Sequence, residues 1–161
     1  MSAASPTTPA TIALDRAGIP YKPHVYEHHE TATNFGEEAA AELGLREYQV
    51  FKTLVVTVDG NLVVAIVPVA NRLDLKSIAS AVGGKKASLA APDLAEKRTG
   101  YVVGGISPVG QKTALPTVLD SSAEGFPTIF VSGGRRGFDI ELAPADLIRA
   151  TDGVTASIAR D

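Results

Sequence analysis

The stretch that decides the fold is Gln49–Val69, QVFKTLVVTVDGNLVVAIVPV. Two runs rich in β-formers flank Asp59-Gly60-Asn61, a turn that accepts positive φ, so the segment predicts an antiparallel hairpin. Its second arm, Leu62 to Val67, is apolar on both faces and belongs deep in a sheet. In the first arm Lys52 shares parity with Leu54, Val56 and Val58, while Phe51, Thr53, Val55 and Thr57 point the other way. A lysine opening an apolar face has two readings. It snorkels to solvent, or it sits at the mouth of a pocket, where it pairs with an anion or gives up its proton more easily.

Helices flank this hairpin on both sides. TPATIALDRAG predicts one, with Thr8 as N-cap, Pro9 in the first turn and Gly18 past the end. NFGEEAAAELG predicts another, with Asn34 capping, Glu37 three residues on and Gly44 stopping it. LDLKSIASAVGG, with Asp74 near its start, and PDLAEKRTG, ending at Gly100, follow the hairpin. A short helix starts at Pro144, and the tail beyond it is expected to fray. PHVYEH reads as extended. Further strands are expected at Tyr101–Val103, around Val118 and at Thr128–Val131, the last followed by a Gly133-Gly134 turn into GFDIEL. Strands and helices do not alternate regularly and one strand pair is antiparallel. This predicts an α+β fold, a mixed curved sheet or open β-barrel with helices outside, rather than a doubly wound one. Residues 1–7 are small and polar and read as a loose N-terminus; residues 8–161 read as one domain.

Composition bounds the chemistry. The 161 residues are 45% hydrophobic and 20% charged, ordinary for a globular chain. There is no cysteine, so the chain has no disulfide, no cysteine metal site and no thiolate nucleophile of its own. A reducing, cytoplasmic setting fits. No segment is long and apolar enough to span a membrane, and MSAASPTTPAT lacks the basic start and apolar middle of a secretory signal. The net charge of −3 has the wrong sign for a general DNA or RNA binder. Only the doublets Lys85-Lys86, Lys97-Arg98 and Arg135-Arg136 offer local phosphate contacts.

TGYVVGGISPVGQKT, residues 99–113, imitates two motifs and satisfies neither. Gly105 to Gly110 has P-loop spacing, but Gln111 displaces Lys112 by one place and no helix follows. A nucleophile elbow would need one residue fewer around Ser107. What remains is a glycine loop whose amides either face a carbonyl oxygen or simply turn the chain. The histidines of HVYEHHE, with His24 and His28 on the face of Tyr26, lack the spacing of a zinc site, and no metal is expected.

YEHHETATNFGEEAAAELGL, QVFKTLVV, VPVANRLDLKSIASAVGGKKASLA, TGYVVGGISPVGQK, LPTVLD and IFVSGGRRGFDIEL, in that order, closely resemble the YbaK proteins, the Cys-tRNA(Pro)/Cys-tRNA(Cys) deacylases. The resemblance runs from about Thr8 to Arg160, and the family is related to the editing domain of bacterial prolyl-tRNA synthetases. It implies a mixed β-barrel ringed by helices and a trans-editing activity on Cys-tRNA(Pro), in a complex with prolyl-tRNA synthetase and tRNA, without a cofactor. By this resemblance Lys52, with Thr53 beside it, holds the aminoacyl end near the scissile ester. Gly104, Gly105, Ile106, Ser107 and Pro108 line the aminoacyl pocket with backbone groups, and Tyr26, Phe35, Ser132 and Asp139 complete it. Two mechanisms follow: the substrate cysteine thiol attacks its own ester, or Ser132 or Ser107 pairs with Lys52 in a Ser-Lys hydrolase, which would suit another substrate such as Ala-tRNA(Pro). A tRNA- or synthetase-binding module without chemistry is the third reading.

Overall fold

In a computed structural model, which describes residues 6–29 and 34–161, the predicted hairpin is the centre of the molecule. Strands β2 (Phe51–Val58) and β3 (Asn61–Pro68) pair antiparallel in full register, Phe51 opposite Pro68 and Val58 opposite Asn61. Asp59 and Gly60 take the positive φ that the turn demands. The apolar arm β3 is buried from Val63 onward. It also pairs in parallel with β6 (Thr117–Asp120), which pairs in parallel with β9 (Val154–Ala156). On the other edge β5 (Ala87–Leu89) lies antiparallel to β2, completing five strands in the order β5-β2-β3-β6-β9.

A second, antiparallel sheet is ordered β1-β8-β7, from β1 (Lys22–Val25), β8 (Phe138–Leu142) and β7 (Ile129–Arg135). It meets the first where Val50 bridges Phe130 in parallel, just before β2. A third pair joins β4 (Arg72–Leu73) to β10 (Ala159–Arg160). The architecture is the predicted mixture of α and β, but among the described residues the strands form open sheets and no closed barrel.

Phe51, Val64, Ile66 and Leu119 of the large sheet meet Val131, Phe138 and Ile140 of the small one in the main core. Leu14 from α1 (Pro9–Ala17) and Leu147 from α5 (Pro144–Thr151) close that core. On the other face Val56, Val58 and Ala65 pack on Ile78 of α3 (Leu75–Ala81). The caps are those the sequence predicts. Thr8 and Thr11 exchange reciprocal side-chain and backbone bonds, and Asn34 accepts from the Glu37 amide at the start of α2 (Phe35–Leu43). A helix α4 (Pro92–Thr99) ends at Gly100, as expected.

Three expectations are corrected. Tyr101–Val103 is not a strand: Tyr101 is buried and its hydroxyl donates to the Val109 carbonyl at 2.6 Å, so this run anchors a loop. Gly133-Gly134 is not a turn but part of a bulged β7, between Ser132 and Arg135. A Cβ on Gly133 would stand 2.4 Å from the Phe138 ring, so packing requires the glycine there. The tail does not fray. It forms β9 and β10, and the buried Asp120 carboxylate accepts the Ile158 and Ala159 amides, both at 2.9 Å. Of the expected loose N-terminus, residues 1–5 lie outside the described residues.

Candidate active site

A cavity of about 340 Å³ opens where the two sheets part beside β2. Phe51 to Val55 form one wall. Phe35, Gly36 and Ala39 of α2, Val103, Gly104 and Ile106 of the glycine loop, and Tyr26, Ser132 and Asp139 also line it. Consecutive residues of β2 reach the cavity, so it wraps round the strand and both parities contribute.

Of the eleven residues named from the sequence, eight line this cavity: Tyr26, Phe35, Lys52, Thr53, Gly104, Ile106, Ser132 and Asp139. Gly105, Ser107 and Pro108 do not. Gly105 packs against the backbone of Arg135 and Arg136. Ser107 is fully buried, its hydroxyl accepts from the Val109 amide and its carbonyl accepts from Gln111 Nε2 at 3.0 Å. These bonds make the second half of the glycine loop scaffolding. A Ser107–Lys52 dyad does not form.

The first half of the loop is held differently. The Val103 amide donates to Glu96 at 2.8 Å and the Gly105 amide to the Val102 carbonyl at 2.9 Å. These bonds leave the amides of Gly104 and Ile106 uncommitted among the described residues. Gly104 sits at φ +88°, and a Cβ there would come within 2.7 Å of Phe35 and 2.8 Å of Arg136 Nε. Arg136 does not itself line the cavity but braces two residues that do, a role that sequence reasoning missed. Its Nε and Nη2 donate to the Val103 carbonyl at 2.9 and 2.6 Å, and its guanidinium lies 4.6 Å from the Phe35 ring centroid. One side chain thus ties the glycine loop, α2 and the β7–β8 turn together at the cavity edge. The sequence marks it only as half of a basic doublet that offers local phosphate contacts.

Electrostatics divide the cavity. Lys52 is half-buried, and burial lowers its pKa; Glu37 opposes that shift and Arg72 reinforces it. Asp139 is 4% exposed, and desolvation raises its carboxyl to about 7. Burial and the nearby Asp139 raise the Tyr26 phenol, so it stays protonated. Asp139 is therefore a group that changes charge near neutrality, the kind of base the sequence did not reveal. The Ser132 hydroxyl accepts from the Gly134 amide at 3.2 Å and keeps its own proton to donate.

The histidines are occupied by glutamates. His24 Nε2 lies 2.8 Å from Glu141, His28 Nδ1 2.7 Å from Glu38, and His29 Nε2 3.2 Å from Glu42. Among the described residues Glu27, His29 and Glu42 bring ligand atoms within 4.8 Å of one another, but all three are exposed and none lines the cavity. Among the described residues no helix is long and apolar enough to cross a membrane.

Residues 28–150 match the model of the aminoacyl-tRNA editing domain. The chain belongs to this family. That bears out the resemblance to the YbaK proteins. Over 154 residues the chain is 38% identical to the Enterococcus faecalis protein named "Putative Cys-tRNA(Pro)/Cys-tRNA(Cys) deacylase EbsC", spanning 94% of this chain and 92% of that one. It is 36% identical over 118 residues to the Escherichia coli "Multifunctional Ser/Thr-tRNA deacylase ProXp-y", covering 70% of this chain and 71% of that protein. Among solved structures, one described as "a putative trans-editing enzyme for prolyl tRNA synthetase" superposes with a TM-score of 0.84 at 28% identity, over 98% of this chain and all of that one. The fold of the editing-domain family thus extends through nearly the whole chain.

Proposed function

We propose that this protein is a trans-editing aminoacyl-tRNA deacylase that removes cysteine from mischarged Cys-tRNA(Pro), the substrate thiol attacking its own ester. The observation that carries this reading is the convergence of Lys52, Gly104, Ile106, Ser132 and Asp139, from four separate segments, on one cavity in an editing-domain protein. Lys52 at the mouth attracts the phosphates and ester oxygens of the tRNA end. The Gly104 and Ile106 amides face the carbonyl oxygen as it becomes an oxyanion. The thiol sulfur bonds to the carbonyl carbon, and the bond from that carbon to the ribose oxygen breaks. The thiol proton ends on that ribose oxygen, giving a cyclic thiolactone and free tRNA. The protein contributes position and charge, and the chain itself has no thiol to compete.

Single-turnover deacylation of purified Cys-tRNA(Pro) tests this, with the products identified by mass spectrometry. Thiolactone and slow release of 2-aminobutyrate, which lacks the thiol, are expected; equal rates for the two would refute self-attack. Lys52→Ala is expected to slow the reaction at least 100-fold with the fold intact. A rate within a few-fold of wild type would remove Lys52 from the site.

The position of Asp139 favours a second reading, in which its carboxylate takes a proton from a water that hydrolyses the ester. Free amino acid, rather than a thiolactone, distinguishes it. Release of neither product would leave a binding module. Because the net charge is −3, tRNA alone is expected to bind weakly and with strong salt dependence, and prolyl-tRNA synthetase to tighten the complex. Tight binding of isolated tRNA at physiological salt would contradict the ternary complex.

A further inference from the structure

Among the described residues one buried side-chain polar atom has no hydrogen-bond partner: the Oγ1 of Thr53. It belongs to β2, next to Lys52, and Thr53 lines the cavity. A hydroxyl without a partner is costly to bury, and a strand could carry valine there at no cost in shape. No described residue bonds it, so the Thr53 hydroxyl is free to pair with a bound group.

We infer that Thr53 is a specificity-determining residue that reads the side chain of the bound aminoacyl group, favouring one that carries a hydroxyl or a thiol over one that ends in a methyl group. This rests on the proposed deacylase reading and deepens it. An aminoacyl ester has one tethered end and two free arms. The tether leads to the tRNA and must leave through the mouth, beside Lys52 and Gly104. The two arms, ammonium and side chain, point inward. The buried Asp139 carboxylate, when ionised, matches the ammonium, which is a donor only. The Thr53 hydroxyl both donates and accepts, so it matches a neutral O–H or S–H, which does the same. Among the described residues no hydrogen bond fixes the present rotamer of Thr53. Rotation about Cα–Cβ exchanges hydroxyl and methyl on the side chain that already lines the cavity.

A site with a polar group waiting for a partner rejects a ligand that lacks one far more strongly than an apolar pocket rejects a small change of size. The discrimination expected against alanine is therefore tenfold or more.

The test uses the full chain and amide-linked analogues, 3′-deoxyadenosine whose 3′-amino group carries serine, cysteine or alanine, which bind without being cleaved. Wild type should bind the serine and cysteine analogues at least tenfold more tightly than the alanine one. Thr53→Val should erase that preference by weakening serine and cysteine alone, whereas Thr53→Ser should keep it. Both variants preserve shape closely, and Thr53→Val should melt no lower than wild type. Preference that survives Thr53→Val, an equal loss for all three analogues, or no binding of any of them overturns the inference. Deacylation of the matching aminoacyl-tRNAs is measured in parallel. A protein that shows the binding preference but cleaves none of them would refute the deacylase reading and leave the role of Thr53 standing.

Discussion

Replacing Asp139 by asparagine separates what this carboxyl does for the fold from what it does for the substrate. Burial raises its pKa from 3.8 to about 7. The folded state therefore holds a proton that the unfolded chain has already lost, and stability falls as pH rises between those two values. Below pH 3.8 both states are protonated and the group costs nothing. Above pH 7 both are ionised and the cost is constant. With about 1.4 kcal/mol per pKa unit, the destabilisation grows from about 2 kcal/mol at pH 5 to about 4 kcal/mol at pH 8. Asparagine is nearly isosteric and never ionises, so Asp139→Asn lacks this penalty. Urea denaturation of both proteins at pH 5, 6, 7 and 8 gives the difference in stability, in which groups common to both proteins cancel. The variant should gain on wild type by roughly 2–3 kcal/mol across that range and stop gaining above about pH 7. A difference flat to within about 0.5 kcal/mol would show that burial does not hold the proton on Asp139, and the assignment of a neutrally titrating group in the cavity would fail. The same variant should lose deacylation at least 100-fold although it is the more stable protein, because a neutral amide neither attracts an ammonium nor takes a proton.

Arg136→Ala should slow single-turnover deacylation by about 10- to 100-fold by freeing Phe35 and the Val103 carbonyl, with Tm within a few degrees of wild type; Arg136→Lys should not rescue it, since an ammonium cannot bond the carbonyl through two nitrogens while lying flat on the ring, and full activity in either variant would refute the clamp. Asp120→Ala should cost about 3–5 kcal/mol, because it strips acceptors from the Ile158, Ala159 and Ser122 amides; limited proteolysis should then release the C-terminal strands first, and a stability loss under 1 kcal/mol would contradict their tethering. Incubation with EDTA should leave deacylation unchanged, since the histidines are paired with glutamates away from the cavity; activity lost to EDTA and restored by zinc would overturn this.

The parts of the fold that were legible in the sequence are those set by local chemistry. A turn that requires positive φ, a strand apolar on both faces and helix caps with their own hydrogen-bond partners need no tertiary context. The errors fell where tertiary contact reassigns a residue. The β-formers Tyr101 to Val103 look like a strand, yet Tyr101 uses its hydroxyl to pin the loop below it. The tail has no apolar period to announce β9 and β10, because a buried carboxylate 38 residues away from Ile158 holds them. Gly133 and Gly134 resemble a turn, although their lack of a side chain serves the Phe138 ring and the bulge.

The candidate site shows the same division. Lys52 was visible because it breaks an apolar row. Asp139 was not recognisable as a buried base, since in GFDIEL it shares parity with Glu141 while Phe138, Ile140 and Leu142 fill the core. Alternation of that kind describes a strand with one wet face. Here Glu141 does reach toward solvent, bonded to His24 and Thr128, but Asp139, two residues earlier on the same face, is buried and lines the cavity with Tyr26 and Ser132. The same face of one strand thus holds one carboxyl that hydrogen bonds keep acidic and one that burial pushes up to about 7. Nothing in the strand distinguishes them; the distinction comes from what covers each. Arg136 completes the logic from the opposite direction: a residue on the surface acts on the cavity because its two nitrogens and flat face reach the loop and helix that bound it. Burial raises the Asp139 carboxyl to about 7 and the Thr53 hydroxyl has no partner among the described residues, and both residues line one cavity of an editing-domain protein. Polar groups that cost stability together in one place are the mark of a site whose partner is a ligand.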